Sequence, residues 1–229
     1  MPYFNASTAK TLHHQVLDCI NYGDIEAGRY YVGGICASMT WQGEISGCEN
    51  LGRVTGSGRV GGILGVTSGS SDVVIKDCTN NGNLIIAMAS ATGAQLIGGV
   101  LGSYSTEKGS VAVENCTNTG KVSVTYSGTP KNSYIGGVVG GTADVHKASA
   151  AVFRGSVKEC KNSGALEFKI GTPNTGTYLD LGGVAGYLEA DIESCSNSGS
   201  ISVLNEEVED NCTRPAAGGV AGFVLGNAK

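Results

Sequence analysis

The sequence predicts an all-β fold, a β-solenoid (β-helix) of about six stacked coils with about three short strands per coil. Three observations carry that expectation. The motif Cys-x-Asn-x-Gly recurs six times, at Cys19, Cys48, Cys78, Cys116, Cys160 and Cys195, with Asn21, Asn50, Asn80, Asn118, Asn162 and Asn197 two residues further on. Between the copies lies a second signature, apolar-Gly-Gly-apolar, also six times over, from Val32-Gly33-Gly34-Ile35 to Ala217-Gly218-Gly219-Val220. After each Asn-x-Gly, apolar and polar residues alternate, as in Leu84/Ile86, Val122/Val124, Leu166/Phe168 and Ile201/Val203. Alternation with period two marks a strand with one buried face.

Each element follows from these patterns. The apolar-Gly-Gly-apolar segment is one strand-like piece. Its two apolar residues stand three apart and cannot both face inward on a regular strand, so a bulge is expected at the Gly pair. The second piece ends at the Cys, with Val16, Ile45, Ile75, Val113, Val157 or Ile192 three residues before it. The third is the alternating strand. The Asn-x-Gly between the second and third pieces suits a tight corner, since both residues tolerate left-handed backbone angles. A single coil cannot bury its own inner face, but stacked coils bury a continuous core, here about 30 Å long for six rungs. Like residues then form files along the stack. The six Asn are expected to bond up and down theirs as amide ladders do, and the six Cys to line one inner corner as free, buried, small apolar groups, with disulfide pairing between neighbours in the file the alternative that a rung spacing of about 4.8 Å leaves open.

Composition narrows the classes. The chain has 229 residues, of which 37 are Gly and only 4 Pro, without a Gly at every third position, which excludes collagen. A formal net charge of −5 with no basic cluster argues against nucleic acid as a partner. The uncharged stretch from Leu84 to Tyr104 reads as a pair of buried strands in register with the other repeats, not as a membrane span. The organisation expected is a lead-in or cap over residues 1–18, with a short helix from Ser7 to Leu17 as one form of it, followed by a single solenoid domain over 19–229. The open strand edge at the far end invites end-to-end self-association. From Cys to the next Gly pair the spacing runs 14, 13, 20, 20, 22 and 23 residues. One corner therefore carries loops that lengthen towards the C-terminus, and the last of them holds Glu206, Glu207, Glu209 and Asp210 beside Cys212.

Motifs for chemistry are weak. Gly56-x-Gly58-x-x-Gly61 matches a dinucleotide pattern in letters only, because Gly61 belongs to the repeat and no helix follows. His13 and His14 are adjacent and diverge on any regular backbone, and His146 stands apart. Asp144, Asp180 and Asp191 occupy non-equivalent repeat positions. The expectation is a chain that is not an enzyme, with no catalytic residues, no metal site and no cofactor. The one constellation that suits a ligand is aromatic: Trp41, Tyr104, Tyr187 and Phe223 each follow a Gly pair closely and would form an edge for a glycan or peptide.

With both motifs assembled, the chain resembles the GLUG-type repeat family. The resemblance rests on segments such as Ile97-Gly98-Gly99-Val100-Leu101-Gly102 followed by Val113-Glu114-Asn115-Cys116-Thr117-Asn118-Thr119-Gly120, and it covers nearly the whole chain. Repeats of this family occur in large bacterial surface proteins, including gut-commensal adhesin-like proteins and some peptidases that act on immunoglobulin A. The resemblance implies an extracellular or cell-surface location and a structural or adhesive role. Its partners would be a host glycan or surface protein, or further repeats of the same chain. The first copy departs from the pattern, with Cys36-Ala37 in place of apolar-Gly, which marks it as a terminal rung.

Overall fold

The computed structural model describes residues 13–28, 30–69, 72–88, 93–106, 109–127, 132–142, 154–170, 177–205 and 214–224. Among these, thirty strands form five parallel, six-stranded sheets, and each sheet takes one strand from every coil. The third coil shows the order. Val73–Lys76 lies in sheet A, Thr79–Asn80 in B, Leu84–Met88 in C, Gln95–Gly98 in D and Leu101–Thr106 in E. The uncharged stretch from Leu84 thus supplies the C, D and E strands of one coil. No helix among the described residues is long and apolar enough to cross a membrane.

The register is the one the motifs require. Val16, Ile45, Ile75, Val113, Val157 and Ile192 pair in one file, and the six motif Asn in another. The first coil begins at His14–Leu17, which pairs with Gly43–Ser46. Residues 14–17, assigned from sequence to the lead-in, are therefore a strand of sheet A and not part of a helix; the rest of the supposed helix, 7–12, lies outside the described residues.

Each coil has five strands where three pieces were expected, because two of the pieces are divided. The piece ending at Cys breaks just before it, at Asp18, Gly47, Asp77, Asn115, Glu159 or Ser194, all with φ between 47° and 64°. This left-handed residue separates sheet A from sheet B in all six coils. Asn-x-Gly was expected to supply left-handed angles, yet none of its residues has positive φ. Its Gly is required for a different reason. A Cβ on Gly82 would stand 1.9 Å from the Gly52 carbonyl oxygen of the coil before it, and one on Gly120 would stand 2.0 Å from that of Gly82.

The Gly pair also divides its piece, into a D strand and an E strand. The expected bulge is in fact a two-residue reversal that folds sheet E onto sheet D. A third Gly makes the close packing possible. A Cβ on Gly102 would meet the Val60 backbone at 2.7 Å and the Gly65 oxygen at 2.6 Å; one on Gly140 would meet the Ile97 nitrogen at 2.5 Å. Each E strand therefore rests, backbone to backbone, on the D strand of the preceding coil. This leaves sheets D and E buried on both faces through the middle of the stack, as in Gln95–Gly98 and Val139–Thr142. One apolar core lies between sheets A and E, built on Ile45, Ile75, Val113, Leu64 and Leu101. A second lies between C and D, built on Leu84, Val122, Leu166, Ile97 and Ile135.

Candidate functional site

The four aromatic residues expected to form one edge do not form it; only Tyr187 and Phe223 meet ring to ring. Trp41 is about half exposed, on the corner after the first E strand, whereas Tyr104 and Tyr187 are buried at 2% and 1% exposure. The register explains the separation. Tyr104 pairs with Thr142, and Tyr187 with the residue before it, Gly141. An offset of one residue turns a side chain to the other face of its sheet. Tyr104 accordingly packs into the core between A and E, while Tyr187 packs towards sheet D, edge-on to Tyr134 at 5.4 Å between centroids. Phe223 of the last coil stacks on Tyr187 at 5.2 Å. The two tyrosine hydroxyls meet one corner: Tyr187 Oη donates to Glu189 Oε1 at 3.1 Å, and the Glu189 N–H donates to Tyr104 Oη at 3.1 Å. Burial raises the pKa of both hydroxyls. Tyr104 and Tyr187 thus hold the stack together and offer no face to a ligand, while Phe223 is half-buried against Tyr187 in the last coil. Beside Tyr104, Leu101, Val113, Val139 and Leu188 wall a void of about 10 Å³, no larger than a single water.

The Asn and Cys files both run through all six coils, but the expected burial of the thiols fails at the ends, where Cys19 is exposed and Cys195 half-buried. Each Asn Nδ2 donates to the Oδ1 of the next coil, from Asn21 through Asn50, Asn80, Asn118 and Asn162 to Asn197, at 2.7–2.8 Å. It also donates to the carbonyl of its own motif Gly, at 2.8 Å for Asn118. The two sequence motifs turn out to be halves of one contact. A Cβ on Gly99 would lie 2.3 Å from Asn118 Cγ, and one on Gly183 2.3 Å from Asn197 Cγ, so the carboxamides fill the space left by the second Gly of each of the first five pairs. The seven described cysteines are free thiols, and Cys48, Cys78, Cys116 and Cys160 are buried. Each motif thiol from Cys48 onward donates to the carbonyl of the file residue one coil back, as in Cys116 to Ile75 at 3.6 Å. Burial pushes the Cys48 thiol up to about 11.

The remaining candidates stay apart. His13 lies 3.8 Å from Glu44 on the exposed side of sheet A. Asp180 is buried in sheet D and Asp191 belongs to sheet A. Among the described residues no group of three or more His, Cys, Asp or Glu side chains is placed to hold a metal ion. Asp144, His146, Cys212 and the acidic loop of Glu206, Glu207, Glu209 and Asp210 lie outside the described residues.

Sequence reasoning missed the exposed aromatics of the first coil. Tyr22 is 73% exposed and Tyr30 71%; Tyr31 is also exposed, under the Arg59 guanidinium at 5.3 Å and bonded to it through its hydroxyl at 3.1 Å. Tyr30 takes φ 82° where the second coil has Gly58 at 99°, a costly angle for an aromatic residue. The available signal was positional, a Tyr standing where the next repeat has Gly.

The chain is similar in structure to a candidate immunoglobulin A1 protease from Bacteroides ovatus, with a TM-score of 0.55 at 19% sequence identity. The match covers 92% of this chain and 66% of that one, so this chain spans just under two thirds of its length. No curated protein matches in sequence. Residues 177–202 match the GLUG motif; this stretch, running from a D strand of the fifth coil to the C strand of the sixth, is a GLUG repeat within a β-helix.

Proposed function

We propose that this protein is a non-enzymatic structural and adhesive module of a bacterial cell-surface or secreted protein. The observation that carries this reading is the use made of the repeated residues. Every Asn of the six-fold motif is bonded within its file, and the glycines of the paired signature, Gly219 of the last coil aside, are required for close approach. The repetition therefore serves rigidity along an axis, and the corners are left to vary. The GLUG repeat and the β-helical neighbour support a surface or secreted setting, whereas the protease activity named for that neighbour is not part of this reading. Protease shaving of intact cells of the source organism tests it. Release of peptides from this chain is the expected outcome, and confinement of the chain to the cytosolic fraction would overturn it.

A second reading makes the module a glycan or peptide binder. The exposed aromatics of the first coil support it, in place of the buried Tyr104 and Tyr187. Flat rings that stay exposed beside a cation suit stacking on a sugar face. Binding on a glycan array that is lost in Tyr31→Ala and Trp41→Ala would sustain this reading; no binding to any glycan or host peptide would end it.

A further inference from the structure

The ends of the stack bear on whether copies of this chain join end to end. In their polar groups the ends are complementary. Every amide of the Asn file points the same way, so among the described residues Asn197 Nδ2 ends the file without a further amide to donate to, and Asn21 Oδ1 begins it without an earlier amide to accept from. A second copy stacked in register would continue the file, which is the head-to-tail geometry of an open filament.

Two residues oppose that fit. In coils two to six the third Gly of the signature is Gly65, Gly102, Gly140, Gly186 or Gly222, and a Cβ on any of them would come within 2.4–2.7 Å of a backbone atom of the preceding coil or closer. The first coil has Ala37 at this position, between the pairs Cys36↔Leu64 and Ser38↔Val66, and it is exposed. A D strand laid beneath it in the spacing of the other coils would meet the Ala37 methyl group at that same sub-contact distance. At the other end, the D-strand position held by Gln95, Ser133 and Leu179 aims its N–H at the following coil, as in Gln95 N to Asn132 O at 2.8 Å, and Pro215 is its counterpart in the sixth coil. In the last coil that position is Pro215, which has no N–H. Proline on an edge strand withholds the hydrogen bond that an added strand needs.

We propose that Ala37 and Pro215 are stops that refuse a second copy of this chain at the two ends of the described stack, one by steric contact and the other by a missing donor. The amide file makes the ends self-complementary, and the stops prevent that complementarity from producing filaments.

Sedimentation velocity on the full chain at rising concentration tests this. Wild type is expected to remain monomeric, and the double variant Ala37→Gly/Pro215→Thr to sediment as multiples of the monomer mass. Adding Asn21→Ala to the double variant should return it towards monomer, because the amide file across the junction is cut. Far-UV circular dichroism and urea midpoints establish that each variant is folded. Concentration-dependent association of wild type, a folded double variant that stays monomeric, or association indifferent to Asn21→Ala would each overturn the proposal.

Discussion

Replacing Asn118 by Ala tests the stacking account most directly. The side chain is fully buried, and its carboxamide makes three hydrogen bonds. Nδ2 donates to Gly120 O and to Asn162 Oδ1, both at 2.8 Å, and Oδ1 accepts from Asn80 Nδ2 at 2.7 Å. At about 1 kcal/mol net for each bond, with a further penalty for buried partners left unpaired, the loss comes to about 3–5 kcal/mol. The same change at Asn21 is a control. That residue is half-buried at the end of the file, where water can replace the lost partners, so Asn21→Ala should cost about 1 kcal/mol. Urea unfolding followed by far-UV circular dichroism measures both, with the slope compared between variants to check that the denatured states match. Equal costs for the two substitutions, or a loss below about 1 kcal/mol at Asn118, would refute the idea that the amide file supports the stack.

The close approach of sheets D and E gives a second prediction. Gly102→Ala forces a methyl group against backbone, which cannot rotate aside, so it should destabilise by about 3 kcal/mol or more, whereas Gly93→Ala, with nothing within 4 Å, should change stability by less than about 1 kcal/mol in the same urea assay. The thiols give a third. Cys48 has its pKa raised from 9.0 to about 11, so above pH 9 the unfolded chain loses this proton while the folded chain keeps it. Its contribution is complete below pH 9 and is lost as pH rises through about 11, and Cys48→Ala should flatten that part of the stability–pH curve. A fourth concerns labelling: Cys19, which is exposed, should react with a thiol reagent under native conditions, while Cys78, Cys116 and Cys160 should react only as the stack opens. Mass-spectrometric mapping of labelled peptides over time distinguishes them.

The coil count, the parallel register and the files of Cys, Asn and Val/Ile were legible in the sequence because each rests on identical residues recurring at equivalent places. What was not legible depends on parity or on distance in space. Tyr104 and Tyr187 look alike when counted from a Gly pair, but one residue of offset in sheet E sends them to opposite faces. The left-handed corner escaped notice because five different residue types at six positions, Asp18, Gly47, Asp77, Asn115, Glu159 and Ser194, meet one backbone requirement. The glycines misled in the opposite sense. Gly is associated with unusual φ, whereas Gly82 and Gly120 are needed only because a neighbouring coil lies too near for a Cβ. Ala37 stood out in the sequence as a departure from the repeat. Its reason became visible only when the third Gly of each coil was found against the D strand of the coil before it.

Because all strands run across the axis, the bonds between coils run along it. Tension applied at the two ends would load those bonds in series, and the outermost coil would peel away before its neighbours. The recurrence distance in the Asn file is 29 to 44 residues, so each such event would release about 100–150 Å of chain. A tether built this way yields in steps under load, lengthening several-fold while the coils still folded keep their shape.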